Sequence, residues 1–119
     1  RDLDFPVEID VAPIVREEDG LALSSRNVYL DAADRARALA LPRALREAAD
    51  AFGEGERDGA RLVGRVRKVL ESEPGVDVQY VELVHPTTLE PLPAAEPGSV
   101  IATAIFVGET RLIDNVILR

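Results

Sequence analysis

Apolar side chains recur at two different spacings along this chain, and the points where the spacing changes divide it into elements. From Leu3 to Val11 apolar and polar positions alternate (Leu3, Phe5, Val7, Ile9, Val11), the period of a half-buried strand. Between Pro13 and Leu23 the periodicity lapses, and Glu17-Glu18-Asp19-Gly20 marks an exposed turn in which Gly20 supplies a positive φ. Ser24, Ser25 and Asn27 are all helix-capping residue types standing before the apolar Val28, Tyr29 and Leu30, which predicts a short helical turn opening near Ser25.

A clearer helix begins at Asp31, with Asp34 three residues on approximating a capping box. Ala33, Ala36, Leu39, Ala40, Ala44, Leu45, Ala48 and Phe52 recur at spacings of three and four, predicting one buried face, with Arg35, Arg37, Arg43, Arg46 and Asp50 in water. Pro42 interrupts this run, because it removes the bond to the Ala38 carbonyl; either a kink or a division into two helices must follow. Gly53 to Gly55 ends the element, and Arg57 to Ser72 forms a second helix with the stripe Ala60, Leu62, Val63, Val66, Val69 and Leu70.

After Pro74-Gly75 the period becomes two, in runs over Val76–Val84, Val100–Val107 and Leu112–Leu118. Gly108-Glu109 reads as a hairpin turn of the Gly-first type, and the proline-rich stretch from Leu89 to Gly98 as a surface connection. Helices followed by antiparallel strands predict an α+β fold: two main helices packed on a small three-stranded antiparallel sheet, preceded by an N-terminal strand and loop.

Composition sharpens this picture. At 119 residues, 46% hydrophobic and 30% charged, the chain holds one core and is neither disordered nor low-complexity. Its apolar runs are of strand length, so no transmembrane helix is expected. The absence of Cys removes disulfides, thiolate metal sites and thiol nucleophiles. The absence of Met, with Arg1 first, predicts a fragment or a processed product. A net charge of −8 opposes nucleic-acid binding. Residues 20–30 nevertheless contain no acid, although residues 1–30 as a whole carry seven acidic and three basic groups.

Catalytic candidates are few. The single His85 precedes Pro86 at a strand end and reads as a surface or capping residue, and with no Cys neither a serine triad nor a Cys–His pair is easily built. The Glu17, Glu18 and Asp19 cluster reads as a solvated charge run, and no metal ligands are expected within this chain. Lys68, the only lysine, lies in a charged helical run. What remains is Gly20 through Asn27: a glycine turn, two hydroxyls and the Arg26 guanidinium leading toward a helix start. These are the donors that bind phosphate oxygens. The competing reading makes Ser24 to Asn27 a helix cap in a non-catalytic α+β interaction or assembly module.

The segment from Pro13 to Leu30, containing Asp19-Gly-Leu-Ala-Leu-Ser-Ser-Arg-Asn27, resembles the C-terminal domain of the pantothenate synthetases, the pantoate–beta-alanine ligases. Arg1 to Ile9, Val78 to Leu83 with Thr88 to Leu92, and Thr110 to Asn115 resemble further segments of the same family. The resemblance implies an ATP-dependent, AMP-forming ligase of coenzyme A biosynthesis that joins pantoate to beta-alanine through pantoyl adenylate. Mg2+ would assist, with its ligands mostly in a separate domain.

It further implies that residues 1–12 link to an N-terminal Rossmann-like nucleotide-binding domain, and that residues 13–119 form a C-terminal lid. ATP contacts would fall on Val15, Leu23, Ser24, Ser25 and Arg26, with Ser25 and Arg26 acting in catalysis. Leu23 stands where Met is common in the family, and His85 where an acid is usual. The family setting implies a cytoplasmic enzyme. These 119 residues alone are expected to be inactive, to bind ATP weakly at most, and to form a homodimer through the unpaired N-terminal strand.

Overall fold

The computed structural model describes Arg16, Glu18, Gly20, Leu21, Asn27, Tyr29 and residues 30–119. The predicted N-terminal strand over Leu3–Val11 lies outside the described residues.

Asp31 opens α1 (Ala32–Ala38) as its N-cap, its carboxylate accepting the Asp34 N–H at 2.7 Å, half of the anticipated capping box. Helix α2 (Ala40–Gly53) follows after a break at Leu39. Two helices therefore form, and the break falls three residues before Pro42. Pro42 itself sits in the first turn of α2, where a missing N–H costs no intrahelical bond.

The break also corrects the predicted apolar stripe. Ala33 and Ala36 are exposed, because the phase of the buried face does not carry across Leu39; α1 buries only Ala38. Helix α2 buries Ala40, Leu41, Ala44, Leu45, Ala48, Ala51 and Phe52. Arg35 and Arg37, expected in water, are half-buried, Arg37 by lying across Gly75 and pairing with Asp34 at 2.8 Å.

Asp58 caps α3 (Gly59–Glu71), which buries Gly59, Leu62, Val66 and Leu70. Ala60, expected in the buried stripe, is exposed in the first turn. The sheet is an antiparallel meander in the order β1 (Val76–Val84), β2 (Val100–Val107), β3 (Thr110–Ile117). Val107 faces Thr110 across the two-residue turn, so β3 begins two residues before the predicted Leu112. Gly108 takes φ 60° while Glu109 does not adopt positive φ, as a Gly-first turn requires.

In β1 the register slips between Val78 and Tyr80, leaving Gln79 as the extra residue of a bulge. Its side-chain oxygen accepts from Arg111 Nε at 2.7 Å. Beyond the bulge Val81 and Leu83 point into the core, joined there by Ile101 and Ile105 of β2 and Leu112 of β3. Helix α3 packs on β1 and α2 on β3, giving the expected two-layer α+β arrangement.

The connection from His85 to Ser99 is tied down at both ends. His85 Nδ1 accepts the N–H groups of Thr87 and Thr88 at 3.1 and 3.3 Å, the capping role expected of it. Further on, Ala95 N–H donates to Arg57 O at 2.7 Å and Gly59 N–H to Pro93 O at 3.0 Å. A β-carbon on Gly59 would lie 2.8 Å from Pro93 O and 3.0 Å from Leu92 O, so only glycine allows this approach.

Gly59→Ala is therefore expected to destabilise the chain by about 1–3 kcal/mol, since backbone rather than a flexible side chain must yield. Gly64, in the exposed middle of α3 with no neighbour in reach, gives the opposite sign: Gly64→Ala should stabilise by roughly 0.5–1 kcal/mol. Urea unfolding of the two variants beside the parent measures both.

Candidate functional site

The site begins at a carboxylate in the middle of a strand. Leu112, Asp114 and Val116 alternate onto one face of β3, so Asp114 is carried inward between two apolar side chains and its own side chain has 0% exposure. Removing a charge from water on this scale demands a partner. Arg16 supplies it with a two-pronged grip: one terminal guanidinium nitrogen donates to Oδ2 at 2.7 Å and the other to Oδ1 at 3.0 Å. The Asn115 N–H adds a third bond to Oδ1 at 2.8 Å.

Thr103, opposite Asp114 on β2, buries its hydroxyl oxygen without a hydrogen-bond partner. The carboxylate is thus satisfied by Arg16 and a backbone amide. Burial raises the Asp114 pKa above the ordinary carboxylate value, while Arg16 and the Asn115 amide act in the lowering direction without reversing it.

The guanidinium nitrogen that bonds Oδ2 also donates to Gly20 O at 3.0 Å. One side chain therefore ties the turn at Gly20 to the sheet. Gly20 has φ 93°, the left-handed conformation expected of it, and directs the chain to Leu21, which is 2% exposed and part of the core. Downstream, Asn27 is 6% exposed and its carbonyl accepts the Leu30 N–H at 3.1 Å, closing a short 3₁₀ turn with Tyr29. Ser25, near which a helical turn is expected to open, lies outside the described residues; Asn27 and Tyr29 are in a short 3₁₀ turn.

Val15, Leu23, Ser24, Ser25 and Arg26 lie outside the described residues, as do Glu17 and Asp19. The described chain provides what flanks them: Arg16 beside Val15, and the buried Leu21 and Asn27 on either side of residues 22–26.

Elsewhere the titratable groups serve the fold. His85 spends Nδ1 on two backbone amides. Arg65 pairs with Glu47 at 2.8 Å, and Arg61 lies 3.9 Å from Glu56 and 3.6 Å from Asp58. Lys68 is exposed in the last turn of α3, where its charge complements the helix dipole. A hollow of about 640 Å³ beside the exposed Tyr29 is lined by Asp34 and Glu109 as well as Arg111, a mixed charge that favours no anion. Among the described residues no three of His, Asp and Glu gather at one point, and no helix is long and apolar enough to cross a membrane.

Arg16 and Asp114 were not singled out as site residues by sequence reasoning. The signal lay in β3, where an acid interrupts an otherwise apolar alternation and so requires a cation from somewhere else in the chain.

The described residues form a two-layer α+β unit in which Arg16 ties the Gly20 turn to the sheet. The sequence model of the pantoate-beta-alanine ligase family matches residues 1–117, and the chain belongs to that family. It is 58% identical over 115 residues to a pantothenate synthetase of Anaeromyxobacter dehalogenans, covering 97% of this chain and 39% of that protein.

A solved pantothenate synthetase from Thermus thermophilus superposes with a TM-score of 0.83 at 42% identity, over 89% of this chain and 38% of that one. The pantoate-beta-alanine ligase of Francisella tularensis, solved as a complex with beta-gamma ATP and beta-alanine, gives 0.53 at 25% identity over 89% and 31%. The chain thus spans less than half the length of the relatives it matches.

The Asp114 shift carries a sign that can be measured. Its pKa is raised on folding, so the native state binds this proton more tightly than the unfolded chain does. The group's stabilising contribution is therefore fully present below the unfolded value of 3.8 and is lost as pH rises through the folded value. Unfolding free energies of the parent minus those of Asp114→Asn, measured across the acid range, should be largest at the acidic end and fall as pH rises. A difference that grows with pH would contradict this.

Proposed function

We infer that this chain is the nucleotide-covering domain of an ATP-dependent ligase that condenses pantoate with beta-alanine. The observation that carries the reading is the family match over residues 1–117, which includes Gly20 through Asn27. The Francisella tularensis relative, crystallised with beta-gamma ATP and beta-alanine, supports ATP and beta-alanine as ligands of the whole protein.

In this reading residues 13–119 form the domain, residues 1–12 join it to a nucleotide-binding domain, and Val15 with Leu23–Arg26 approaches ATP. The pantoate carboxylate attacks the α-phosphorus, the bond to pyrophosphate breaks, and pantoyl adenylate forms. The beta-alanine amine then attacks the acyl carbon, the acyl carbon–oxygen bond breaks with its electron pair leaving on AMP, and the amine releases a proton.

Charge builds on the departing pyrophosphate, so a guanidinium at Arg26 and a hydroxyl at Ser25 directed there stabilise the transition state more than the ground state. The described residues gather no ligand set suited to Mg2+, and no step is assigned to a metal on this chain.

In the full-length enzyme, Arg26→Ala and Ser25→Ala should each slow pantoyl adenylate formation about 100-fold, the scale for one lost donor to a developing oxyanion. Adenylate formation at the parental rate in both variants would remove these residues from the mechanism. The 119 residues by themselves should form no pantothenate from ATP, pantoate and beta-alanine, and measurable turnover would contradict the assignment of a covering domain.

A further inference from the structure

Thr103 stands in the middle of β2 at 0% exposure, and its hydroxyl oxygen has no hydrogen-bond partner. Its neighbours along and across that face are apolar on one side: Ile101 and Ile105 on β2, Val81 opposite it on β1. Valine would fill the same shape there without a polar atom. A buried hydroxyl that bonds to nothing is a standing cost to the fold, so its presence calls for an arrangement in which it is used.

The neighbour on the other side is Asp114, directly opposite Thr103 in the β2–β3 register. Facing residues of an antiparallel pair hold their β-carbons about 5 Å apart, which brings a threonine hydroxyl within reach of a carboxylate. The two nevertheless do not bond. Arg16 occupies Oδ2 at 2.7 Å and Oδ1 at 3.0 Å, and the Asn115 N–H bonds Oδ1 at 2.8 Å. A two-pronged guanidinium fixes the plane of the carboxylate as well as its place, whereas the last torsion of an aspartate is otherwise soft.

We propose that Thr103 is a reserve donor for Asp114: its hydroxyl is idle while Arg16 is seated, and when the guanidinium withdraws the carboxylate turns and accepts the Thr103 O–H in its place.

The pair is built so that only one partner can leave. Arg16 is 33% exposed and its guanidinium can return to water, whereas the Asp114 side chain, at 0% exposure, is carried by its strand and stays behind. A buried carboxylate stripped of its cation is strongly unfavourable. One bond donated to a charged acceptor offsets part of that, raising the population of the open form about 10- to 100-fold.

Withdrawal also has a consequence beyond the pair. The guanidinium nitrogen on Oδ2 holds the Gly20 carbonyl at 3.0 Å, so both contacts are released together. Thr103 thereby makes the tie between Gly20 and the sheet a releasable one, with the buried charge satisfied in either position.

Thr103→Val removes the hydroxyl and keeps the shape. The titration midpoint of the Asp114 side-chain carboxyl, followed by carbon-13 NMR, reads donation to the carboxylate directly, because a hydrogen bond to the charged form holds that midpoint down. With Arg16 in place, Thr103→Val should leave the midpoint where it is. In an Arg16→Met background the same change should raise it by about one pH unit, a tenfold change in proton affinity. Arg16→Met midpoints that agree with and without the hydroxyl overturn the proposal, as does a fall, or a rise equally large with Arg16 present.

Should Arg16→Met fail to fold, the parent and Thr103→Val decide between them. Rotation of the Arg16 guanidinium, read from exchange between its two terminal nitrogens, requires the fork to open. Thr103→Val should slow that rotation about tenfold, since the open form loses its donor. An unchanged or faster rotation overturns the proposal.

Discussion

A single carboxylate that cannot reach water organises the described part of this molecule. Strand alternation turns Asp114 inward, and a buried charge of that kind must be matched by a partner able to satisfy both oxygens. The partner is Arg16, 98 residues earlier in the chain. With that one requirement go the docking of the Gly20 turn and, one residue on, the entry of Leu21 into the core.

Much of the fold is legible in local pattern because local physics decides it. The alternation over Val100–Val107, the Gly-first turn at Gly108, the positive φ at Gly20 and the Asp31 cap each rest on one or two neighbouring residues. Even the bulge leaves a trace: alternation along β1 runs through Val76, Val78 and Tyr80 and then restarts at Val81, a phase jump just after the extra Gln79. The predicted stripe across Leu39 does not hold. A 3.6-residue period is continuous on paper, and nothing in Ala33 or Ala36 announces that the helix stops between them and Ala44.

The site is less legible than the fold, because its described part depends on contacts between distant segments. Arg16 sits among acids in an aperiodic loop, where its charge looks like ordinary surface decoration. Only the company that Asp114 keeps in β3, apolar on either side along the same face, betrays an obligatory partner. Resemblance to a family singles out Ser25 and Arg26, whereas burial and hydrogen bonding single out Arg16 and Asp114. The two kinds of information are complementary.

The proline-rich connection after β1 does more than join two strands. Glu90 O accepts from His85 N–H and Leu83 O from Leu92 N–H, while Pro91 and Pro93 have no amide hydrogen to offer outward. The Leu83–His85 end of β1 is consequently armoured: an incoming polypeptide from another molecule would meet pyrrolidine rings where it needs main-chain donors. At this end of the strand, addition of a further strand is hindered by covalent chemistry, with no reliance on surface charge.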